Sequence, residues 1–342
     1  MLVQAQFQPL RQGGSSGQSP QQPGSFSRQQ GQQGQDMNQD QESSQQPFIP
    51  REVKNWKLAD DFSRVDTIPV DTTQTGFQIY NPIYRRSIAN VYLSNLGSSA
   101  QSALIEDRPI KNTFLFARNL NYWLTGPEDW HYYNTRTPYT NLYYQHSGPK
   151  RRSEENVGVL FTQNVNPDWN VGFRYKLISS VGKYEAQQAD NRFFRFFSSY
   201  AGDRYMIHGS FVYGKTDHLK SGGLLDDDYI FNPDIYDYDQ PENIPVIFMD
   251  ASSRIDNYQL FVDQKFDIGA IDVAVNDTLT ETTPLATLSH TFELDNYRRT
   301  YRINDLSPYF PEGEDPVFYT QRLIDPQRTR DSVYHTTFRN TF

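Results

Sequence analysis

The chain contains no cysteine, so neither a disulfide framework nor thiol chemistry can stabilise it or carry its function. It has no stretch approaching the ~18 consecutive apolar residues that a membrane-spanning helix requires. If it crosses a membrane, it must do so as a closed barrel, because hydrocarbon cannot satisfy an open sheet edge. It also lacks a net positive charge: 41 Asp and Glu against 32 Lys and Arg give a formal charge of -9, which argues against nucleic acid as a partner. No sustained 3.6-residue period with caps is present, and glycine and proline interrupt the chain throughout, which disfavours long helices.

Signatures of catalysis are missing too. None of the six histidines (His131, His146, His208, His218, His290, His335) falls in a His-Glu-x-x-His pair, and there is no Gly-x-Ser-x-Gly elbow or phosphate-binding loop. Carboxylates are plentiful, but none stands in the paired context of a glycoside hydrolase. The chain is expected not to be an enzyme and to need no cofactor or metal.

Aromatic residues are abundant. Phe, Tyr and Trp make up 15% of the chain, with 23 Phe and 23 Tyr. Yet the mean hydropathy is -0.75. A water-soluble globule with so polar an average rarely carries so many rings, whereas a barrel with a polar lumen and an aromatic outer band needs that mixture.

The N-terminus divides from the rest. Val3 and Ala5 resemble the end of a secretory signal, so residues 1–5 read as its remnant and export through the periplasm is expected. Residues 6–50 are a disordered linker: 16 of the first 50 residues are Gln, mixed with Gly, Ser and Pro, and cannot bury enough apolar area to offset ordering. Residues 51–86 are extended and transitional.

From about Ser87 the pattern alternates with period two, giving a β domain over 87–342. In the clearest strand Trp169, Val171, Phe173, Tyr175 and Leu177 share one face, with Asn170, Gly172, Arg174 and Lys176 opposite. Its partner carries Val157, Val159 and Phe161, and the Asn166-Pro167-Asp168 turn joins them as a hairpin. Similar strands surround the Gly202 turn and cover 258–268 and 286–294; weaker candidates are 87–96, 111–120, 138–147 and 333–342. That makes about ten strands. The two tight turns fall on one rim, inferred to be periplasmic, and the long connections 215–256 and 302–332 fall on the other. The segment 121–137, with Trp123 and Trp130, is long for the short-turn side and is assigned to the membrane interface.

Within this scheme Arg174, Lys176, Asp263, Lys265 and Asp267 face the lumen as pore-lining residues, a mixed-charge row suited to small polar solutes. The alternative is that these charges pair across strands and close a narrow barrel. His208 shares the lumen face with Ser210, and His290 sits on the apolar face near an interface. The acidic run Asp226-Asp227-Asp228 to Asp234, Asp237 and Asp239 lacks EF-hand spacing and reads as a solvated loop before it reads as a calcium site. Lys150-Arg151-Arg152 reads as a solvated turn before a lipid-headgroup contact.

Several segments carry a resemblance. Trp56-Lys57-Leu58-Ala59-Asp60-Asp61-Phe62, Gly76-Phe77-Gln78-Ile79-Tyr80-Asn81-Pro82, Asn90-Val91-Tyr92-Leu93-Ser94-Asn95-Leu96-Gly97 and Pro138-Tyr139-Thr140-Asn141-Leu142-Tyr143-Tyr144 resemble the Putative porin family of Bacteroidetes-type bacteria, and the match runs to the C-terminus. The resemblance implies an all-β, antiparallel transmembrane β-barrel in the cell outer membrane, with a transport role and no catalytic residues. Members of that family are longer, so the ten strands read as an incomplete sheet whose chain stops short. Two functions follow: a porin in outer-membrane lipid passing small polar solutes, or a non-conducting surface protein that binds glycans or partners through long loops.

Overall fold

The computed structural model describes residues 52–70, 81–93, 95–108, 114–149, 152–232, 235, 240–276, 279–304 and 328–342. The signal and linker readings of 1–5 and 6–50 lie outside them, as do Lys150, Arg151, Asp234, Asp237 and Asp239. In chain order come β1 (Val53–Leu58), β2 (Val65–Ile68), α1 (Pro82–Arg86), β3 (Asn90–Tyr92), β4 (Ala100–Ser102), 3-10 turns at Leu115–Leu120 and Pro127–Asp129, and β5 (His131–Thr135). Then follow β6 (Tyr139–Ser147), β7 (Glu154–Asn166), β8 (Trp169–Val181), β9 (Gln188–Ala201), β10 (Tyr205–Leu219), α2 (Asp228–Phe231), β11 (Ser252–Ile268), β12 (Ile271–Asn276), β13 (Leu279–Thr283), β14 (Ala286–Arg302) and β15 (Arg328–Thr341).

The period-two pattern yields one antiparallel sheet of eight strands in the order β15-β14-β11-β10-β9-β8-β7-β6, with the hairpin β12–β13 inserted between β11 and β14. The sheet is therefore an up-and-down meander in which sequence neighbours pair. Register aligns like with like: Phe161, Phe173, Phe196, Phe211, Leu260 and Leu294 form one row across β7, β8, β9, β10, β11 and β14. The Asn166 side chain accepts from the Asp168 backbone N–H at 3.0 Å and closes the β7–β8 turn, as its Asn-Pro-Asp sequence predicts. The all-β antiparallel expectation holds. The closure expected of a barrel is not formed among the described residues, where no pairing joins β6 to β15.

Among the described residues the large sheet has eight strands, not about ten, because two weak candidates fold differently. Within 87–96 only Asn90–Tyr92 is a strand, and it pairs with β4 away from the large sheet. In the other, Phe114, Ala117 and Leu120 recur every three residues and are buried together by a 3-10 turn, whose period is three. The strands at 138–147 and 333–342 do form, as β6 and β15.

The two faces of the large sheet are inverted relative to a water-soluble sheet. Aromatic residues point out: Phe196, Phe211 and Phe266 are 47%, 42% and 48% exposed. Polar residues point in: Asn191, His208 and Asp263 are 0%, 1% and 1% exposed. What buries them is a second layer made from residues 52–135. Its three-stranded sheet, β2-β1-β5, and the turns around it lie on the polar face. One cluster packs Leu58, Phe62, Trp130 and Tyr132 of this layer against Phe197, Val212 and Phe261 of the large sheet. A second packs Ile83, Leu96, Phe114 and Trp123 against Ile178, Ile255 and Tyr297. Each large side chain so buried contributes about 1.5–3 kcal/mol.

The layer reaches both flanks of the large sheet. Asn164 of β7 donates to Asn134 Oδ1 at 3.0 Å, and Arg339 of β15 donates to the Asp61 carbonyl at 2.9 Å. We call it the cover. Both tight turns lie at one end of the strands; β10 ends and β11 begins, and β14 ends and β15 begins, at the other, as the alternation predicts.

Candidate functional site

The site is the contact between the polar face and its cover. All five sequence-predicted pore-lining residues project from that face, because they occupy alternate positions of β8 and β11. Asp263 accepts from Thr291 Oγ1 at 2.8 Å, and Asp267 accepts from Thr287 Oγ1 at 2.6 Å, both across the β11–β14 pair. Lys265 donates to the Ser63 carbonyl of the cover at 2.8 Å. Lys176 lies 5.9 Å from the Trp123 ring, also in the cover. Arg174 is exposed and hydrogen-bonds Tyr143 of β6. The three β11 residues are thus together, each held by a protein group, while the β8 pair stands three strands away.

The centre of the contact is Arg195 of β9. Its Nε and Nη2 donate to Ser210 Oγ at 3.2 and 2.9 Å, and Nη1 donates to the His131 carbonyl of the cover at 3.1 Å. The guanidinium lies 4.8, 4.9 and 4.8 Å from the Trp130, Tyr132 and Phe197 rings. A planar, weakly hydrated cation suits such a cage; an ammonium does not. Tyr132 also hydrogen-bonds Ser210 Oγ at 3.0 Å.

Beside it, Trp56 Nε1 donates to His208 Nε2 at 3.1 Å. The other ring nitrogen, Nδ1, faces Asp263 Oδ2 at 3.8 Å, and neither of those two buried atoms has a hydrogen bond. His208 and Ser210 share the inner face, as expected. Sequence reasoning did not single out Arg195, Trp56 or Tyr132. The run Phe193-Phe194-Arg195-Phe196-Phe197 hides its alternation, because rings occupy both faces.

Trp123 and Trp130, expected at a membrane interface, are instead buried under the large sheet. Their indole N–H groups make this possible by donating to the carbonyls of Ser98 (2.7 Å) and Thr125 (3.2 Å).

Burial shapes the acid–base behaviour of the cover. The His131 ring is pushed down to about 4, first by burial and then by the Arg174, Arg195 and Lys57 charges. Burial raises the phenols of Tyr132 and Tyr133. His131 is therefore a neutral group at neutral pH, with Nδ1 3.0 Å from Asn55 Oδ1 of β1.

The outward face is organised by height. Apolar residues run from Trp169 to Leu177 on β8, from Tyr205 to Tyr213 on β10, and, interrupted at Gln264, from Tyr258 to Ile268 on β11. Beyond them, toward the long-connection end, the same face becomes charged: Asp190 and Arg192, Lys215 and Asp217, Arg254 and Asp256, Arg298 and Arg302. Arg192 pairs with Asp190 at 2.8 Å and Arg254 with Asp217 at 2.6 Å. His290 lies on the outward face 2.6 Å from Asn340 Oδ1. No cluster of metal-ligating side chains occurs among the described residues. Arg152 of the basic turn is paired with Glu242.

A family model described as Putative porin matches residues 52–342. It therefore spans the cover and the large sheet together. No curated protein and no solved structure matches the chain.

Proposed function

The chain belongs to the Putative porin family, and on that premise we propose that residues 139–341 are the wall of an outer-membrane β-barrel that passes small polar solutes when the cover at residues 52–135 shifts. It is a passage and not an enzyme; its partners are outer-membrane lipid and the solutes, and it uses no cofactor.

One observation carries the membrane reading: the apolar band on the outward face runs diagonally across the strands. The row through Trp169 meets β11 at Gln264, yet the band there continues to Ile268, four residues further. Four residues rise about 13 Å, and three strand spacings cover about 14 Å, a slope near 43°. At the other border the row through Leu177 meets β14 at Arg298, but the last apolar residue is Leu294, again four residues lower. Across four spacings that slope is about 35°. Tyr334 on β15 sits one step back toward the long-connection end.

A band that is level in a bilayer crosses strands at their tilt angle, and membrane barrels tilt by about 35–45°. Along β11 the band extends from Tyr258 to Ile268, about 33 Å of strand, which is about 25 Å of height at that tilt. That is the thickness of a barrel's apolar belt. A sheet covered by a second protein layer on this face has no reason to grade its polarity along one diagonal.

A second reading is favoured by the Arg195 contacts: a cover held this firmly suits a non-conducting surface protein that binds glycans or partners through the connections 220–251 and 303–327. Two experiments separate the readings. Folded wall should migrate differently on a gel with and without heating. Purified protein in planar bilayers should give reproducible conductance steps if it is a passage; heat-modifiable protein that stays silent supports the second reading.

A further inference from the structure

Where the inner face of β10 ends, two cations line one cavity between the large sheet and the cover. They are Lys220, the residue after β10, and Arg299 of β14, and the cavity measures about 140 Å³. Phe116 and Leu120 of the cover form apolar walls, and Thr216 and Ser253 bring hydroxyls from β10 and β11. Arg299 is placed by three contacts. Its Nη1 donates to Asp331 Oδ2 at 3.2 Å, its Nε donates to Ser253 Oγ at 3.4 Å, and the guanidinium lies 4.0 Å from the Phe116 ring.

Lys220 is placed by a relay of hydrogen bonds that starts in the cover. Asn191 Nδ2 donates to the Gly97 carbonyl at 2.7 Å, so its Oδ1 accepts from His218 Nε2 at 2.8 Å. On the neutral ring Nδ1 then carries no proton, and it accepts from Lys220 Nζ at 3.4 Å. A neutral imidazole occupies one of the three ammonium donors and neutralises none of the charge. Burial, and then the Arg299 charge, push the ammonium down to about 8. The two cations therefore act on each other across the cavity that they share.

Two cations and two hydroxyls converging between apolar walls suit an oxyanion, whose charge offsets both and whose oxygens accept several donors at once. A second cavity of about 380 Å³ also has His218 and Lys220 in its lining, together with the amides of Asn95, Gln187 and Gln188. Lys220 stands where the two cavities meet. Both lie at the long-connection end, where a solute from outside arrives in the passage reading.

We propose that Lys220 and Arg299 form a binding site for the carboxylate or phosphate group of a small solute, with the amide-lined cavity holding the solute's polar remainder. The inference rests on the passage reading for the solute's route and sharpens it: the polar solutes that pass are anionic.

The test uses the full chain in phosphatidylcholine vesicles, with inorganic phosphate as the probe and glucose as the neutral control. Acylation by acetic anhydride near pH 8, resolved by residue with mass spectrometry, follows Lys220 against Lys215 on the outward face of β10. Phosphate should slow acylation of Lys220 about tenfold, as a bound anion that raises its pKa by about one would do, and leave Lys215 unchanged. Glucose should change neither. Arg299→Gln should stay heat-modifiable and lose most of the protection. In planar bilayers the wild type should prefer anions by its reversal potential, and Lys220→Gln should shift it toward cations. The site is overturned if phosphate does not protect Lys220 or protects both lysines alike. It is overturned too if Lys220 reacts slowly without phosphate, as an ammonium already held by an acid of the chain would. Protection without conductance steps overturns the passage and leaves the site to the non-conducting reading. Conductance steps without protection overturn the site and leave the passage.

Discussion

Trp56 and His208 stand 152 positions apart in the chain and meet through a single hydrogen bond, indole N–H to imidazole Nε2 at 3.1 Å. That bond fixes the ring's roles: Nε2 accepts, so on a neutral imidazole the proton is on Nδ1, the nitrogen that faces Asp263. It also ties the half-buried Trp56 of β1 in the cover to the buried His208 of β10 in the large sheet. Trp56→Phe keeps a ring there and removes the donor, leaving a buried acceptor unpaired. We expect about 1–3 kcal/mol less stable docking of the cover and faster hydrogen exchange over β1, with β7–β10 unchanged. Unchanged exchange in β1 would show that the bond does not hold the cover.

Arg195 is the stronger tie. Arg195→Lys retains charge but cannot donate simultaneously to Ser210 and the His131 carbonyl or lie flat against three rings. At about 1.5–3 kcal/mol for a hydrogen bond to a charged group, the variant should lose at least ~2 kcal/mol. A lowered melting midpoint with early loss of protection in β5 checks it; a midpoint equal to the wild type's would mean that the cage is incidental.

Gly172 lies on the inner face where a β-carbon would collide with the Phe197 ring, whereas Gly209 on the outer face has open space around it. Gly172→Val should therefore cost about 1–3 kcal/mol by overpacking, and Gly209→Ala should be close to neutral. Equal effects at both positions, by thermal melting, would contradict the assignment of the two faces.

Docking of the cover should depend on pH through His131. Its pKa falls from 6.5 when free to about 4 when docked. Between those values the released ring binds a proton that the docked ring refuses, so docking weakens as pH falls through about 6.5 to 4 and is steady above it. Protease susceptibility of residues 52–135 should rise at pH 4.5 relative to pH 7.5. The variant His131→Gln should lose most of that difference; if it keeps all of it, other groups are responsible.

The large antiparallel sheet was legible in the sequence, and the cover was not. Residues 157–178 largely alternate because each face meets much the same environment along its length. The exceptions, Leu160 and Ile178 on the polar face, are the places where the cover packs apolar groups. β14 continues beyond Leu294 to Arg302, and its charged outward residues look like loop until height is considered. The cover is built from strands of three to six residues, too short to display a period, and from a 3-10 turn whose spacing mimics neither helix nor strand. Trp123 and Trp130 suggested an interface because indole is amphipathic; nothing local reveals that the carbonyls of Ser98 and Thr125 receive their N–H groups. Assigning Arg174, Lys176, Asp263, Lys265 and Asp267 to one face needed only parity. Lys265 bonding Ser63 needed knowledge of what lies opposite.

Because the chain has no cysteine, the outward and inward faces can be compared one residue at a time. Single cysteines at positions 169 to 177, spin-labelled in protein reconstituted into vesicles, would report collision with oxygen, which concentrates in hydrocarbon, and with a water-soluble nickel chelate. At Trp169, Val171, Phe173 and Tyr175 oxygen access should exceed nickel access, and at Asn170, Gly172 and Arg174 it should not, so that the ratio oscillates with period two. A flat profile, or a period-two profile with the aromatic positions in water, would contradict the account.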